Sequence, residues 1–230
     1  MNELKDLPED IRAVIFDFDG TLAETNIDFA KMRRRIIGLL KDWELWDEGM
    51  DDQRYVLDLI AAGRQKLAPD EDRIEQFQSE ADTILQQVEL ETCKDAAPFP
   101  GVVAALDRLR EAGLKVGIVT RNCRVGVASV TSRYHLHHDV LSTRDDVVNV
   151  KPHPDHLVCA LDLLGESPER AIMIGDHITD VQGAEGTGAY TIGVLTNHTT
   201  KEEFLQVGAD AVFADVPAAV TAIIRARDAE

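Results

Sequence analysis

The sequence predicts an α/β fold in which a Rossmann-like parallel sheet carries helices on both faces and a small all-helical domain is added. Strand-like and helix-like segments alternate from about residue 102 to the C-terminus, whereas the stretch from about 26 to 90 shows helical spacing only. Alternation of this kind is typical of a doubly wound parallel sheet. The predicted boundaries are 1–22 and 96–230 for the sheet domain and 23–95 for the helical domain.

Short apolar runs rich in β-branched residues are expected to form the sheet. The first run, 12–16, ends directly before Asp17. Further strands are predicted at 115–120, 139–142, 171–175, 190–195 and 211–213. Helices are predicted at 102–112, 124–134, 154–164 and 179–185, and from about Pro217 onward. Because ligands bind beyond the carboxyl ends of parallel strands, the residues that follow these strands are the candidates for a site.

The helical insert is predicted to hold three helices. Asn26 is the expected N-cap of the first, and Asp28 suits its first turn. The second is expected at about 50–66, and the third follows Pro69. Lys31 and Arg33 to Arg35 form either a solvated basic face, which nearby acidic residues favour, or a contact with a distal anion of a substrate.

The composition limits the partners. A formal net charge of −18 disfavours nucleic acids and anionic membranes, because both bind basic surfaces. Three cysteines lie far apart, and an odd number does not suit a disulfide framework. The polar N-terminal segment is not expected to be a signal peptide, and no apolar run approaches the ~20 residues that span a bilayer. We expect a cytoplasmic protein, monomeric or homodimeric, without a nucleic-acid or membrane partner.

Acidic and polar residues follow the predicted strands: Asp17, Asp19, Thr120, Arg121, Asn122, Asp176 and Asp180, with Lys151 in a loop. Two unit charges about 4 Å apart repel by about 4 kcal/mol at an effective dielectric of about 20, so four converging carboxylates need a cation. An all-oxygen site suits Mg²⁺. Together with Lys151, the metal can offset the repulsion between a carboxylate nucleophile and a phosphate dianion. That repulsion is the main obstacle to phosphoryl transfer onto an aspartate.

Four segments resemble the motifs of the haloacid dehalogenase superfamily. They are Asp17-Phe-Asp-Gly-Thr-Leu22, Thr120 at a strand end, Lys151-Pro-His-Pro154 and Gly175-Asp-His-Ile-Thr-Asp180. Their order and spacing match, and the insert lies where that family carries a small helical cap. The nearest branch resembles the phosphoglycolate phosphatase-like hydrolases. Ala23-Glu24-Thr25 departs from the Asp-Ser or Asp-Thr of many relatives, which puts the substrate in doubt.

The resemblance implies a Mg²⁺-dependent phosphatase that acts on a small phosphorylated metabolite, such as a phosphoglycolate-like compound or a sugar phosphate. Asp17 is implied to attack phosphorus and to become an aspartyl phosphate. Asp19 is implied to protonate the leaving oxygen and then to activate water. Thr120 and Lys151 are implied to hold the phosphate.

The same resemblance assigns the remaining site residues. Mg²⁺ is implied to bind the side chains of Asp17 and Asp176 and the main-chain carbonyl of Asp19. Asp180 is implied to orient either Lys151 or water at the metal. Backbone amides near Gly20, Arg121 and Asn122 are implied to contact the phosphate. The cap is expected to close over the nucleophile and to favour small substrates.

Other functions stay open. β-Phosphoglucomutase-like phosphoryl transfer shares the whole catalytic set. Dehalogenation of a haloacid needs no metal, and Asp19 argues against it. A non-catalytic binding module with a relic site is the third alternative, and the complete acidic set argues against that.

Two further features each allow two interpretations. Cys123 is either a reactive thiol at a helix N-terminus or a packed small residue. His135, His137 and His138 are either a metal site or ordinary histidines.

Overall fold

The computed structural model describes residues 4, 7–47, 49–50 and 55–228. Residue contacts divide the chain into two compact units. One unit comprises the chain up to Asn26 together with the chain from Asp95 onward, and the other is Ile27–Lys94. No helix within the described ranges is long and apolar enough to cross a membrane.

The first unit is built on a six-stranded sheet in the order β5-β4-β1-β6-β7-β8, and all its pairings are parallel. A short antiparallel pair, β2 with β3, lies outside this sheet. The strands are β1 Ala13–Phe16, β2 Ala23–Glu24, β3 Ala97–Pro98, β4 Lys115–Val119, β5 Val140–Ser142, β6 Ala171–Gly175, β7 Tyr190–Val194 and β8 Ala211–Phe213. The predicted strands of the main sheet are confirmed to within one residue at each end; the β2–β3 pair was not predicted.

Helices connect the strands and supply the second unit. They are α1 Phe29–Asp42, α2 Val56–Leu67, α3 Glu71–Cys93, α4 Val102–Glu111, α5 Arg124–Tyr134, α6 Asp155–Leu164, α7 Ile178–Ala184, α8 Lys201–Gln206 and α9 Val216–Asp228. The sequence analysis missed α8. Its signal was present, because Thr200 and Glu203 form a reciprocal capping box at its start.

The core of the first unit forms because the central strands are apolar on both faces. Every residue of β1 is buried, as expected for a parallel strand covered by helices. On one face, Ile15 and Met173 pack with Leu157 and Leu161 of α6. In the register of the sheet, Phe16 of β1 pairs with Ile118 of β4 and Ile174 of β6. The residues that follow these three strands therefore meet at one edge of the sheet.

The second unit consists of α1, α2 and α3 around their own apolar core. Gly63 of α2 sits at the closest approach, where an added Cβ would lie 2.7 Å from Phe77 and 2.8 Å from Leu40. A side chain at this position would push the helices apart. The basic residues on α1 are partly engaged inside the unit. Lys31 forms an ion pair with Glu91 of α3, and Arg35 Nη2 donates to Gln87 Oε1 at 2.6 Å.

The start of α1 corrects one expectation. Asn26 does not cap the helix, because its backbone adopts a left-handed conformation with φ 49° two residues before the actual cap. Asp28 is the N-cap, and its carboxylate accepts a hydrogen bond from the Lys31 amide at 2.7 Å. The second helix begins at Val56, later than the expected residue 50. Residues 51–54 of that prediction lie outside the described residues.

Candidate active site

The sheet register brings residues from distant parts of the sequence to one edge. The Asp17 amide continues the β1–β6 pairing by donating to the Ile174 carbonyl at 2.9 Å. The Thr120 amide does the same between β4 and β5, donating to the Ser142 carbonyl at 3.0 Å. These bonds fix the main chain at the strand ends, where the predicted site residues begin.

Lys151 is the cation at this edge. It is only 3% exposed, and its Nζ lies 2.6 Å from Asp17 Oδ1 and 2.7 Å from Asp180 Oδ1. Burial by itself would lower the pKa of Lys151, but the two carboxylates outweigh burial and raise it. The ammonium group therefore stays charged and holds the two acids together.

A cluster of three acids surrounds that contact. Asp17, Asp176 and Asp180 each offer one oxygen, and these oxygens lie within 4.8 Å of one another. Burial, followed by the charges of Asp17 and Asp180, raises the pKa of Asp176 to about 7. Burial also raises the pKa of Asp180 despite the opposing charge of Lys151. One lysine does not balance three buried carboxylates, so the arrangement fits a further cation.

The oxygen donors of this cluster fit Mg²⁺, which prefers carboxylate ligands. Asp17 and Asp176 were predicted as its side-chain ligands, and both are in the cluster. Asp180 was predicted to orient Lys151 or water at the metal and not to bind the metal itself. Its carboxylate oxygen nevertheless lies within 4.8 Å of the oxygens of Asp17 and Asp176. The role of the Asp19 main-chain carbonyl stays a prediction.

The Asp176 carboxylate is held by donors that the sequence analysis did not identify as functional. Thr21 Oγ1 donates to its Oδ1 at 2.8 Å, and Asn197 Nδ2 donates to its Oδ2 at 3.0 Å. The Asp176 amide in turn donates to Thr21 Oγ1 at 2.9 Å. Asn197 follows β7, so the rule that sites form beyond strand ends points to it.

Gly20 allows the first loop to pass close to this carboxylate. Its φ is +86°, in the left-handed region, and an added Cβ would lie 2.4 Å from Asp176 Oδ2. The Gly20 carbonyl accepts a hydrogen bond from Thr196 Oγ1 at 2.5 Å. A side chain at residue 20 would therefore disturb both the turn and the acidic cluster.

Asp19 belongs to a separate group. Its carboxylate accepts hydrogen bonds from Thr120 Oγ1 at 3.0 Å and from Asn122 Nδ2 at 2.8 Å. Burial and then the charge of Asp17 raise the pKa of Asp19, although the hydrogen bonds oppose this. A raised pKa favours the protonated carboxyl group, which is the form that can act as an acid. Thr120, which was predicted to hold phosphate, contacts Asp19 in this structure.

The loop after β4 is braced by its own polar groups. The Asn122 amide donates to Thr120 Oγ1 at 3.0 Å, and the Arg121 carbonyl accepts from Arg144 Nη1 at 3.2 Å. Cys123 is the N-cap residue of α5 and is 1% exposed, which favours its interpretation as a packed residue. Of the histidine, cysteine and acidic side chains in the described part of the chain, only Asp17, Asp176 and Asp180 converge as a possible metal site. The histidines at 135, 137 and 138 do not.

The chain has clear relatives among known proteins. Residues 14–194 match the family model of the haloacid dehalogenase-like hydrolases. Pyrophosphatase PpaX of Bacillus cereus (strain AH820) is 31% identical over 188 residues, which covers 80% of this chain and 83% of that protein.

Solved structures share the fold. One is a predicted phosphoglycolate phosphatase from Haemophilus somnus 129pt, with a TM-score of 0.61 at 20% identity over 92% of this chain and 97% of that chain. Another is a candidate β-phosphoglucomutase from Bacteroides vulgatus, with a TM-score of 0.67 at 22% identity over 96% of this chain and 90% of that chain. At these identities, the structures support the fold alone. The family match over most of the chain confirms the resemblance read from the four motifs: this chain belongs to the haloacid dehalogenase-like hydrolases.

Proposed function

We propose that this hydrolase is a Mg²⁺-dependent phosphatase that releases phosphate from a small phosphorylated metabolite, with Asp17 as its nucleophile. The contact of Lys151 Nζ with Asp17 Oδ1, at 2.6 Å beside two further carboxylates, carries the proposal. A carboxylate attacks a phosphate dianion only if nearby positive charge offsets their repulsion. Lys151 supplies one such charge beside the attacking oxygen.

Asp17, Asp176 and Asp180 are the side chains that would hold the metal. Burial, followed by the charges of Asp17 and Asp180, raises the pKa of Asp176, and this supports a cation there, because Mg²⁺ would take the place of the proton in neutralising the buried carboxylate. When bound, Mg²⁺ would polarise the phosphoryl group and neutralise the charge that develops on it. Thr21 and Asn197 would keep the Asp176 carboxylate oriented.

Asp17 and Asp19 together account for every bond and proton that changes in the reaction. An oxygen of Asp17 forms a bond to phosphorus, the bond from phosphorus to the ester oxygen breaks, and protonated Asp19 delivers its proton to that oxygen. Asp19, now a carboxylate, then takes a proton from water while the water oxygen attacks phosphorus. The bond from phosphorus to Asp17 breaks, phosphate leaves, and Asp19 is protonated again.

Two groups of substrates are favoured. Phosphoglycolate and sugar phosphates follow from the branch that the motifs resemble. Inorganic pyrophosphate joins them because a relative 31% identical over most of its length is named a pyrophosphatase. In each case the leaving group is an oxygen that Asp19 can protonate.

The test is a phosphate-release assay on purified protein with Mg²⁺ and with EDTA. The panel contains p-nitrophenyl phosphate, phosphoglycolate, β-glucose 1-phosphate, pyrophosphate and a phosphopeptide. We expect release from one or more small compounds, little from the phosphopeptide, and none in EDTA. No release from any compound would contradict the proposal. Conversion of β-glucose 1-phosphate to glucose 6-phosphate without net release would identify the mutase alternative.

A further inference from the structure

His156 is a buried histidine with no role in the chemistry described above. It lies on α6, five residues after Lys151, and its side chain is fully buried. The Lys151 main-chain amide donates to His156 Nδ1 at 3.3 Å. This bond ties the loop that carries Lys151 to a helix packed against the central sheet.

The protonation state of the ring follows from that bond. Nδ1 accepts, so the neutral ring carries its proton on Nε2. Burial, followed by the charge of Lys151, lowers the pKa of His156 to about 4. The ring is therefore neutral at neutral pH, where Nδ1 is available as the acceptor for the Lys151 amide.

The ring also lies near the strand end that carries Thr120. Nε2 is buried and meets no acceptor in hydrogen-bonding geometry in the described part of the chain. The Ser142 backbone is nevertheless close enough to favour a proton on the ring. The Ser142 carbonyl accepts the Thr120 amide at 3.0 Å. His156 is thus placed between the main chain of Lys151 and that of Ser142, which in turn pairs with Thr120.

We propose that His156 is a positioning residue that sets the main chain of Lys151 and thereby holds the Lys151 ammonium group against Asp17. The kinetic part of this inference rests on the proposed phosphatase activity. Lys151 Nζ contacts both Asp17 and Asp180, so a small displacement of its main chain would lengthen two short contacts at once. Removing a residue that orients a functional group without contacting the substrate typically lowers activity by about 10- to 100-fold.

Asparagine and glutamine at residue 156 separate positioning from packing. The asparagine carbonyl can take the place of Nδ1, whereas the glutamine amide reaches toward the place of Nε2. For a positioning residue, we expect His156→Asn to keep kcat/KM near the wild-type value and His156→Gln and His156→Leu to lose about 10- to 100-fold. His153→Gln is the matched control, because His153 lies in the same loop, is half exposed and contacts Asp155. It should leave activity unchanged.

A second measurement does not need activity. Amide hydrogen exchange at Lys151 should be slow in the wild type and in His156→Asn, and faster in His156→Gln and His156→Leu. Imidazole ¹⁵N spectra of the wild type should show an unprotonated Nδ1 and a protonated Nε2 at pH 7. The opposite tautomer, or a protonated ring, would overturn the proposal without any variant having to fold.

The outcomes separate the two proposals. If the wild type releases phosphate from no compound, the phosphatase proposal fails, and the exchange and tautomer data still decide the role of His156. If the loss of activity in all three variants only follows the drop in their melting temperatures, His156 has a packing role and no positioning role. Equal Lys151 exchange in His156→Asn and His156→Gln would overturn the positioning role as well.

Discussion

Lys151 Nζ and Asp17 Oδ1 lie 2.6 Å apart although 134 residues separate them in sequence. The contact is buried, and the same ammonium group also serves Asp180. Removing Lys151 therefore leaves unbalanced carboxylates in a region that water cannot easily reach, whereas removing the charge of Asp17 leaves Lys151 paired with Asp180.

Asp17→Asn should abolish phosphate release while the fold is kept. An amide has nearly the same volume as a carboxylate but is a poor nucleophile. Residual turnover above about 1% in a folded, purified variant would rule out Asp17 as the nucleophile. Circular dichroism and melting temperature check the fold. Beryllofluoride, a mimic of the phosphoryl group, should bind the wild type only with Mg²⁺ and should not bind Asp17→Asn.

Lys151→Met should destabilise the protein in EDTA. Without the ammonium group, Asp17, Asp176 and Asp180 face one another unbalanced, and breaking a buried pair costs about 3–5 kcal/mol of unfolding free energy. Chemical denaturation measures the change. Lys31→Met is the control, because both side chains of the Lys31–Glu91 pair are exposed, at 37% and 53%. Exposed pairs contribute about 0–1 kcal/mol, so equal losses in both variants would contradict the prediction.

The raised pKa of Asp176 predicts that the free energy of unfolding depends on pH in the absence of metal. Its pKa is raised from the model-compound value of 3.8 to about 7 in the folded chain, so the folded state binds the proton more tightly than the unfolded state does. The stability from Asp176 is therefore complete below about pH 4 and is lost as pH rises to about 7. A shift of about 3 pKa units corresponds to about 4 kcal/mol.

Asp176→Asn isolates this contribution. In EDTA at pH 8, the variant should be more stable than the wild type by up to about 4 kcal/mol, and by about 2 kcal/mol or less at pH 5. Denaturation at the two pH values measures both differences. Mg²⁺ should stabilise the wild type more at pH 8 than at pH 5, and should hardly stabilise the variant. A difference between the proteins that does not change with pH would contradict the raised pKa.

The sequence predicted the sheet well because each central strand is a short apolar run that ends at a polar residue. For 124–134 and 171–175, the predicted and observed bounds are the same. The prediction of Asn26 as an N-cap was wrong because Asn is common both at helix N-caps and in left-handed conformations. Only the structure distinguishes the two. The capping box of Thr200 and Glu203 indicates the start of α8 in the sequence, although this helix was not predicted.

The site was predictable to the extent that its residues follow strands. The structure brings Asp17, Asp176, Asp180 and Lys151 together, and the roles that the motifs imply for them stay predictions. The supporting contacts were not predictable in the same way. Thr21 reaches Asp176 across 155 residues, and His156 becomes a partner of Lys151 only through the geometry of the loop before α6. Such contacts depend on tertiary packing, which local patterns do not encode.

Asn197→Ala tests the contact to Asp176 that the sequence did not reveal. The variant loses the donor to Asp176 Oδ2 at 3.0 Å, so the carboxylate can rotate and Mg²⁺ should bind about 10- to 100-fold more weakly. Activity titrated with Mg²⁺ should show a higher half-saturating concentration, with activity recovering at high Mg²⁺. Asn149→Ala is the control, because the Asn149 side chain donates to the exposed Asp155 at 2.9 Å and not to one of the three clustered acids. If both variants need the same Mg²⁺ as the wild type, Asn197 does not orient a metal ligand. If Asn197→Ala stays inactive at all Mg²⁺ concentrations but melts normally, Asn197 contacts the substrate instead of orienting Asp176.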